Sequence, residues 1–173
     1  MKYFFDTEFI EDGKTIDLIS IGIVDQDGRE FYAESNEINL DKANDWVKQN
    51  VIPNLWYLNN KDKEEYPVKV RDGSGLWSRK RIKNKILEFI GTPKPEFWGY
   101  YADYDWVVLC QLFGCMLDLP KGWPMYCNDL KQLCVMVGDP KLSKQNNEHN
   151  ALYDAFWVRE QYFYLHTLPI LVL

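Results

Sequence analysis

The chain has 173 residues, a length that suits one domain with a sizeable core and does not suggest two. Hydrophobic residues make up 46% and aromatic residues 16% of the sequence, which is typical of a globular protein and not of a disordered one. The formal net charge of −6 argues against a protein that coats long duplex DNA through a broad basic surface. Nucleic-acid binding is still allowed, because bound divalent cations supply positive charge where a phosphate must sit.

The sequence begins with a pattern typical of three short strands joined by tight turns. Residues 2–8 are rich in aromatic side chains, residues 16–24 are apolar and β-branched, and residues 30–33 complete the pattern. The turns are supplied by Asp12-Gly13 and Asp27-Gly28. An antiparallel meander is therefore predicted for the first 35 residues.

Two helices are predicted in the next part of the chain, at residues 41–50 and after Ser78, which suits the N-cap position. Residues 53–78 lie between them and are predicted to be irregular, because they contain prolines and glycines. The inward face of the second helix is marked by apolar residues at intervals of four: Ile82, Ile86 and Ile90. The prolines that follow, Pro93 and Pro95, are expected to end this helix.

Strands and helices alternate over the rest of the chain. The predicted strands are residues 96–101 and 124–127, and the predicted helices are residues 104–114, 129–137 and about 151–166. A three-stranded antiparallel unit followed by this alternation implies an α/β fold, with a mixed five-stranded sheet flanked by helices in a single domain over residues 1–173. This is the order of elements in the ribonuclease H-like fold.

The charge is uneven along the chain. Residues 69–85 carry seven basic side chains against one acid, which gives this segment +6 and leaves −12 for the rest. With Trp77 beside it, the segment combines charge and stacking surface in the way that single-stranded nucleic acids favour. A solvated face of the helix after Ser78 is the alternative, and it is slightly preferred. The basic residues are Lys69, Arg71, Arg79, Lys80, Arg81, Lys83 and Lys85.

Carboxylates beside apolar sequence occur at three separated places: Asp6 with Glu8, Asp105, and Asp154, which follows His149 by five positions. Carboxylates gathered inside a fold repel one another and lose hydration, so they are tolerated mainly when protonated or neutralised by cations. Oxygen-only ligation suits magnesium or manganese. A nearby histidine then suggests metal-assisted hydrolysis with a general base.

Asp6 and Glu8 lie two residues apart on a predicted strand, so their side chains point to one face roughly 6–7 Å apart and can reach the same ion. A solvent-facing strand end is the alternative, because D-x-E alone is a weak motif. The third acid is ambiguous, since Asp103 and Asp105 both lie where a helix is predicted to start. Either carboxylate is favoured there by capping or by the helix dipole.

The last predicted helix brings an acid and a histidine together if Asn150 is its N-cap. It then has one inward stripe of Ala151, Asp154, Ala155 and Val158, whose small alanines allow close approach to the sheet. His149 lies in the preceding loop and is better placed to accept a proton from water than to ligate a metal. A capping or surface histidine is the alternative, and His166 is expected to be structural.

Three motifs occur in order along the chain: Asp6-Thr7-Glu8 on the first strand, Tyr104-Asp105 at the start of a central helix, and His149 five residues before Asp154. Together they resemble the DEDDh branch of the DnaQ-like 3′-5′ exonucleases, which have the ribonuclease H-like fold. The opening run is most similar to a small bacterial and phage group of stand-alone exoribonucleases. The resemblance extends over nearly the whole chain, and it ranks Asp105 above Asp103.

This resemblance implies hydrolysis of single-stranded or 3′-overhang RNA to 5′-mononucleotides with two divalent cations, Mg²⁺ or Mn²⁺. Asp6, Glu8 and Asp154 would hold the ion that carries the attacking water, and Asp6 would share the second ion. Asp105 would complete the site directly or through water, and His149 would take the proton from the attacking water. The alternatives are a DNA exonuclease for proofreading or repair and a catalytically silent nucleic-acid-binding module.

Substrate contacts are predicted on three segments. Phe9 and Ile10 directly follow Glu8 on the first strand and are able to pack on the last bases of a nucleic-acid strand. Such residues are more often part of the core. The other segments are the basic one and the loop before His149. The candidates are Phe9, Ile10, Trp77, Arg79 and Lys144, with Lys141 and Gln145 in the same loop as Lys144.

The four cysteines form no CxxC pair and, without a signal peptide at the N-terminus, indicate free or buried thiols in a reducing cytoplasm. The apolar tail at residues 168–173 is far shorter than the roughly 20 residues that a membrane span needs, so no membrane association is expected. We interpret this tail as a packing or interface segment. Relatives in the resembled branch are often homodimers, and by analogy the aromatic final helix with its apolar tail is a candidate surface for such a dimer.

Overall fold

The apolar runs at the start of the chain form the centre of a six-stranded mixed sheet in the computed structural model, which describes residues 1–60 and 74–169. The strands are β1 (Lys2–Glu11), β2 (Ile16–Asp25), β3 (Glu30–Ser35), β4 (Gly75–Trp77), β5 (Glu96–Gly99) and β6 (Asn128–Asp129). Their order across the sheet is β4-β3-β2-β1-β5-β6. The β1–β2 and β2–β3 pairs are antiparallel, and the β3–β4, β1–β5 and β5–β6 pairs are parallel.

Five α-helices in the described part of the chain accompany the sheet. They are α1 (Asp45–Asn50), α2 (Arg79–Ile90), α3 (Asp103–Phe113), α4 (Leu130–Met136) and α5 (Ala151–Leu165). Short 3-10 turns occupy residues 40–42, 52–54, 58–60 and 116–118. Helices α2 and α3 pack on one face of the sheet, whereas α5 packs on the other face and contacts α4.

Alternation along the central strands explains this two-sided packing. Tyr3 and Phe5 of β1 join the core cluster that includes α2 and α3, whereas Phe4 joins a cluster with residues of α4 and α5. Both faces are apolar because both are covered, which is typical of sheets in α/β folds. The predicted antiparallel meander and the predicted α/β class are confirmed.

The sheet differs from the prediction in two places. It has six strands instead of five, because Gly75–Trp77 pairs in parallel with β3 inside the stretch that was expected to be irregular. Residues 124–127 do not form a strand, and the pairing with β5 occurs at Asn128 and Asp129 instead. Strands of three and two residues are too short to show an alternating pattern, so periodicity does not reveal them.

Helix boundaries follow local capping signals. Ser78 caps α2 by accepting a hydrogen bond from the Arg81 N–H, as predicted, but α2 ends at Gly91, whose φ of +57° is left-handed, and not at the prolines. The predicted helix at residues 41–50 is shorter, since α1 starts only after the Asn44 cap. Helix α5 begins after Asn150, whose side chain accepts hydrogen bonds from two main-chain N–H groups, as expected.

Two expectations fall partly outside the described residues. Lys69 and Arg71 of the basic segment and residues 170–173 of the apolar tail belong to the parts of the chain that the structure does not describe. Leu168, at the start of the tail, packs against the core cluster of Phe4 and α5. Among the described residues, no helix combines the length and the apolar character that crossing a membrane requires.

Candidate active site

Three of the predicted acids meet where α5 crosses the sheet. Asp6 and Glu8 of β1 point to the face that α5 covers, and Asp154 reaches them from the first turn of that helix. One carboxylate oxygen from each residue lies within 4.8 Å of the others. Three oxygen ligands at this spacing, from two elements of the fold, fit a divalent cation such as Mg²⁺ or Mn²⁺.

Close contact between α5 and the sheet makes this arrangement possible. Gly22 of β2 pairs with Asp6, and a Cβ at that glycine would lie 2.2 Å from the carbonyl oxygen of Ala151. The helix therefore rests directly on the backbone of β2. Ala151 and Ala155 are fully buried beside Asp154, which is 8% exposed. Small residues on both elements thus bring the third carboxylate to the first two.

Asp105 approaches the same strand from the other side of the sheet. It is 6% exposed, and its Oδ1 accepts hydrogen bonds from the main-chain N–H of Thr7 at 2.8 Å and the Thr7 hydroxyl at 2.6 Å. Thr7 is the residue between Asp6 and Glu8, so Asp105 holds the strand that carries both acids. Within the described residues, Asp105 is not part of the 4.8 Å cluster, and Asp103 is exposed.

Burial and mutual repulsion raise the pKa values of these carboxyl groups. Burial raises the pKa of Glu8 to about 9 and that of Asp6 well above its ordinary value, and the charges of neighbouring acids add to both shifts. Burial also raises the pKa of Asp154 to about 7 and that of Asp105 to about 6, although hydrogen bonds partly oppose these shifts. The cluster is therefore unfavourable in its fully ionised form unless cations neutralise it.

The metal-free protein should lose stability as the pH rises from 5 to 9. In the unfolded chain these carboxyl groups ionise near pH 4, whereas in the folded protein they keep protons up to about pH 6 to 9. The folded state therefore binds more protons across this window, so its stability falls with rising pH until each folded pKa is passed. Unfolding midpoints measured with EDTA and with Mn²⁺ should show that the metal weakens this pH dependence, and a flat EDTA profile would contradict the assignment.

His149 lies beside the cluster, in the loop before α5. Its φ of +66° is left-handed, and its main-chain N–H donates to Oδ2 of Asp154 at 3.0 Å. Its ring meets the ring of Trp46 edge to face, with 4.8 Å between centroids. His149, Asp6 and Asp154 line the same cavity of about 150 Å³. Trp46, which is 53% exposed on α1, was not identified from the sequence, because nothing local links it to a loop a hundred residues away.

Three amide side chains fix the loop that carries His149. Gln145 donates from Nε2 to Oδ1 of Asp154, so both oxygens of that carboxylate accept hydrogen bonds. Asn150 donates to the main-chain oxygen of Asn54 at 3.0 Å, and Asn54 donates to that of Glu148 at 3.2 Å. The loop is therefore tied both to the acids and to the turn at residues 52–54. Gln145 was predicted as a contact to the phosphate backbone and not as a partner of Asp154, and the role of Asn54 was not predicted.

A fifth carboxylate, Glu34 of β3, is fully buried on the same face of the sheet. It lies in register with Ser20 of β2, which is opposite Glu8. Its oxygens accept hydrogen bonds from the Tyr32 hydroxyl and from the main-chain N–H groups of residues 56–58, at 2.5 to 3.0 Å. Glu34 therefore anchors that turn to the sheet. It gave no signal in the sequence, where it lies just beyond the strand predicted at residues 30–33 and belongs to no recognised motif.

The predicted contacts at the end of β1 have different surroundings. Phe9 is half-buried and meets the exposed ring of Tyr104 edge to face, with 5.9 Å between centroids. Ile10 is 5% exposed and packs in a core cluster with Ile19 and Val47. The expectation that Ile10 packs on a base is therefore not supported, because its side chain fills the space between the sheet and α1.

Trp77 lies on the opposite face of the sheet from the acids. Leu76 pairs with Glu34, Glu34 pairs with Ser20, and Ser20 pairs with Glu8. Paired residues on neighbouring strands point to the same face, so the side chains of Leu76 and Glu8 share one face of the sheet. Trp77 follows Leu76 and points to the other face, where it packs on Phe31 and under the guanidinium group of Arg81. The structure does not bring Trp77 to the acidic cluster.

The two predicted basic contacts, Arg79 and Lys144, lie in different surroundings. The guanidinium group of Arg79 forms an ion pair with Asp17, and its main-chain N–H donates to Glu37, so this residue secures the start of α2. Lys144 is exposed and adjoins Gln145, whose side chain contacts Asp154. Of the two predicted basic contacts, the structure places only Lys144 beside the site.

The mixed sheet carries acids on its first strand, a crossing helix adds another acid, and a histidine precedes that last acid. This combination defines an exonuclease domain of the ribonuclease H-like class. Two solved structures of exonuclease I share this fold, one of them the E. coli enzyme in complex with a dT13 oligonucleotide. Their TM-scores are 0.62 and 0.59 at 11% and 12% identity, and the alignments cover 96% of this chain and 41% of theirs.

The model of the 3′-5′ exoribonuclease Rv2179c-like domain matches residues 1–165. Two proteins of Mycobacterium tuberculosis, the 3′-5′ exoribonuclease Rv2179c of strain H37Rv and MT2234.1 of strain CDC 1551, are each 42% identical to the chain over 160 residues. Each alignment covers 90% of this chain and 87% of the relative. The chain therefore belongs to the Rv2179c-like 3′-5′ exoribonuclease domain family, and the resemblance to 3′-5′ exonucleases inferred from the sequence is confirmed.

Proposed function

We propose that the protein is a 3′-5′ exoribonuclease that hydrolyses single-stranded or 3′-overhang RNA to 5′-mononucleotides. The observation that carries this proposal is the buried meeting of Asp6, Glu8 and Asp154 beside His149. Membership of the exoribonuclease family supports RNA as the substrate. A module that only binds nucleic acid has little need of three mutually repelling carboxylates next to a histidine.

The acidic cluster suits two divalent cations, Mg²⁺ or Mn²⁺. Asp6, Glu8 and Asp154 would hold them, and Asp105 would contribute through its position behind Thr7 or through water. When bound, such cations activate a water molecule and stabilise the entering and leaving oxygens of an in-line displacement. The raised pKa values of Glu8 and Asp154 favour this interpretation, because cations would replace the protons that these groups otherwise keep.

His149 is proposed as the general base that accepts the proton of the attacking water. His149→Ala should slow hydrolysis by roughly 10²–10⁴-fold, the usual contribution of a general base. Metal binding should persist, because the hydrogen bond from His149 to Asp154 comes from the main chain, which alanine retains. Single-turnover rates and calorimetry with Mn²⁺ measure the two effects, and His166→Ala, at the far end of α5, is the matched control. Lost Mn²⁺ binding would show that the ring is a ligand.

The two candidate acids on α3 should behave differently. Asp105→Ala should abolish turnover, because it removes a buried carboxylate and both hydrogen bonds to Thr7, whereas Asp103→Ala should leave most of the activity. Steady-state kinetics on RNA, with circular dichroism to verify folding, measure this difference. The reverse ranking would assign the function to Asp103.

Labelled strands decide between this function and its alternatives. Matched RNA and DNA oligonucleotides, labelled at the 3′ or the 5′ end, would be incubated with the protein in Mg²⁺, Mn²⁺ or EDTA. Stepwise shortening of RNA from the 3′ end only with metal is the expected result. Preferred shortening of DNA would indicate a proofreading or repair enzyme, and binding without cleavage would indicate a silent module.

We also infer a single-domain cytoplasmic enzyme that acts as a homodimer. All four cysteines are free thiols, which suits a reducing compartment. Phe163 and Tyr164 near the end of α5 are exposed aromatic residues and supply apolar surface for a second copy. Light scattering after size-exclusion chromatography tests the assembly, since a monomeric mass at micromolar concentration would contradict it.

A further inference from the structure

A second cavity continues from the acidic cluster between α5 and the loop at residues 139–145. Its volume is about 490 Å³, within the range of roughly 300–1,000 Å³ that is usual for ligand pockets. It shares four lining residues with the cavity that contains Asp6 and His149, so the two form one groove. The shared residues are Tyr100, Gln145, Glu148 and Trp157.

Two aromatic rings form one wall of this groove. Tyr100 and Trp157 are both half-buried and meet at 69°, with 5.1 Å between ring centroids. The indole N–H of Trp157 donates to the main-chain oxygen of Ser143 at 3.1 Å, which fixes the ring. A fixed and partly exposed aromatic pair beside a phosphodiester cleavage site is suited to stacking with a base.

The opposite wall is a loop held in place by a buried amide. Gln161 of α5 is 4% exposed, accepts a hydrogen bond from the Ser143 N–H at 3.1 Å and donates one to the Ser143 hydroxyl at 2.6 Å. The main-chain N–H, the main-chain oxygen and the hydroxyl of Ser143 are thus all hydrogen-bonded to side chains of α5. Lys141 and Lys144 flank it and are exposed. Anchoring the loop reduces the conformational freedom that the lysines would lose when they bind an anion.

The charges of the groove favour an anion at the lysine end. Lys131, which also lines it, is paired with Asp139, and Glu148 lies at the end next to the acids. Neither Lys141 nor Lys144 forms an ion pair with any residue in the described ranges. Their positive charges are therefore available to a phosphate.

We propose that this groove binds the nucleotide next to the scissile phosphate, with its base against Tyr100 and Trp157 and its phosphate at Lys141 and Lys144. The inference rests on the proposed exoribonuclease function and adds a binding subsite to it. It also assigns the phosphate contact to the 139–145 loop instead of the basic segment around Trp77. Gln161 acts as a positioning residue, because it reaches the substrate only through Ser143.

The lysines are tested by salt dependence. The double variant Lys141→Ala/Lys144→Ala should raise KM for an RNA heptamer with little change in kcat. Its plot of log(kcat/KM) against log salt should be shallower by about 1.4, since each lost phosphate contact on a single strand changes the slope by roughly 0.7. Lys94→Ala/Lys121→Ala, which removes two exposed charges elsewhere, should match the wild type. Equal slopes for all three proteins would overturn the phosphate contact.

The aromatic wall is tested with abasic RNA. An abasic nucleotide placed in turn at each of the last three positions should slow the wild type by about 5-fold or more at one of them, the lower end of the effect of stacking one base. Trp157→Leu should lose this sensitivity and Trp157→Phe should keep it, with thermal unfolding verifying that both variants fold. An unchanged abasic penalty in Trp157→Leu would refute the stacking contact. A wild type that leaves intact RNA uncut would instead refute the proposed function.

Discussion

Asp6→Asn should abolish turnover and at the same time stabilise the metal-free protein. Asp6 belongs to the carboxylate cluster, so its loss removes a ligand from the proposed cation site, and a loss of several kcal/mol of transition-state stabilisation corresponds to about 10³-fold or more in rate. The asparagine also removes a half-buried carboxyl group whose pKa is raised well above its ordinary value by loss of hydration and by neighbouring acids. The folded protein then no longer has to keep this group protonated, or to bear its charge, at neutral pH.

The two effects are measured separately. Single-turnover assays on RNA give the rate, and thermal unfolding in EDTA at pH 8 gives the stability, where each kcal/mol shifts the midpoint by roughly 2–4 °C for a chain of this size. Asp27→Asn is the matched control, because Asp27 is an exposed acid in the turn after β2. An Asp6→Asn protein that is both inactive and less stable in EDTA would indicate that this carboxyl group is a structural hydrogen-bond acceptor.

Gly22→Ala should damage the site without touching any reacting group. The added Cβ would lie 2.2 Å from the carbonyl oxygen of Ala151 and 2.4 Å from the Cα of Leu152, both of which are main-chain atoms that no rotamer change removes. The start of α5 must therefore move away from β2, and Asp154 moves with it. We expect a loss of about 1–3 kcal/mol of stability, as for other overpacked cores. Turnover should fall by roughly 10²-fold, the usual effect of a misplacement of about 1 Å.

A second glycine separates the site effect from a general loss of stability. Gly75→Ala on β4 would place its Cβ against the Trp77 side chain, which is able to rotate, and the acids lie three strands away across the sheet. Stability and kcat of both variants, together with Mn²⁺ affinity by calorimetry, form the comparison. Wild-type kcat and Mn²⁺ affinity in Gly22→Ala would show that the close approach of α5 is not needed to position Asp154.

The central part of the fold was predictable because its signals are local. Turn dipeptides and β-branched runs define the meander, and capping residues such as Ser78 and Asn150 define the starts of α2 and α5. The meeting of Asp6, Glu8 and Asp154 follows from strand alternation and from a helical stripe of small residues, two rules that act within each element. The family resemblance then supplied the order in which these elements assemble.

The features that were missed depend on contacts between distant segments. The register in which β4 pairs with β3 decides the face to which Trp77 points. Neither strand encodes that register by itself. Trp46 meets His149 across more than a hundred residues, and Glu34 binds a turn more than twenty residues further along the chain. Such pairings are decided by tertiary packing, which overrides local pattern. The structure therefore places Ile10 in the core and Trp77 on the far face of the sheet, whereas it brings the three acids together.

The three main-chain donors on Glu34 have a consequence for the motion of the molecule. If residues 56–58 detached from β3, a carboxylate would remain inside the protein with only the Tyr32 hydroxyl as a donor, at a cost of several kcal/mol. Local opening of this turn is therefore suppressed, although it contains no α-helix or strand. In hydrogen–deuterium exchange, the amides of Trp56, Tyr57 and Leu58 should exchange about as slowly as those of the central strands.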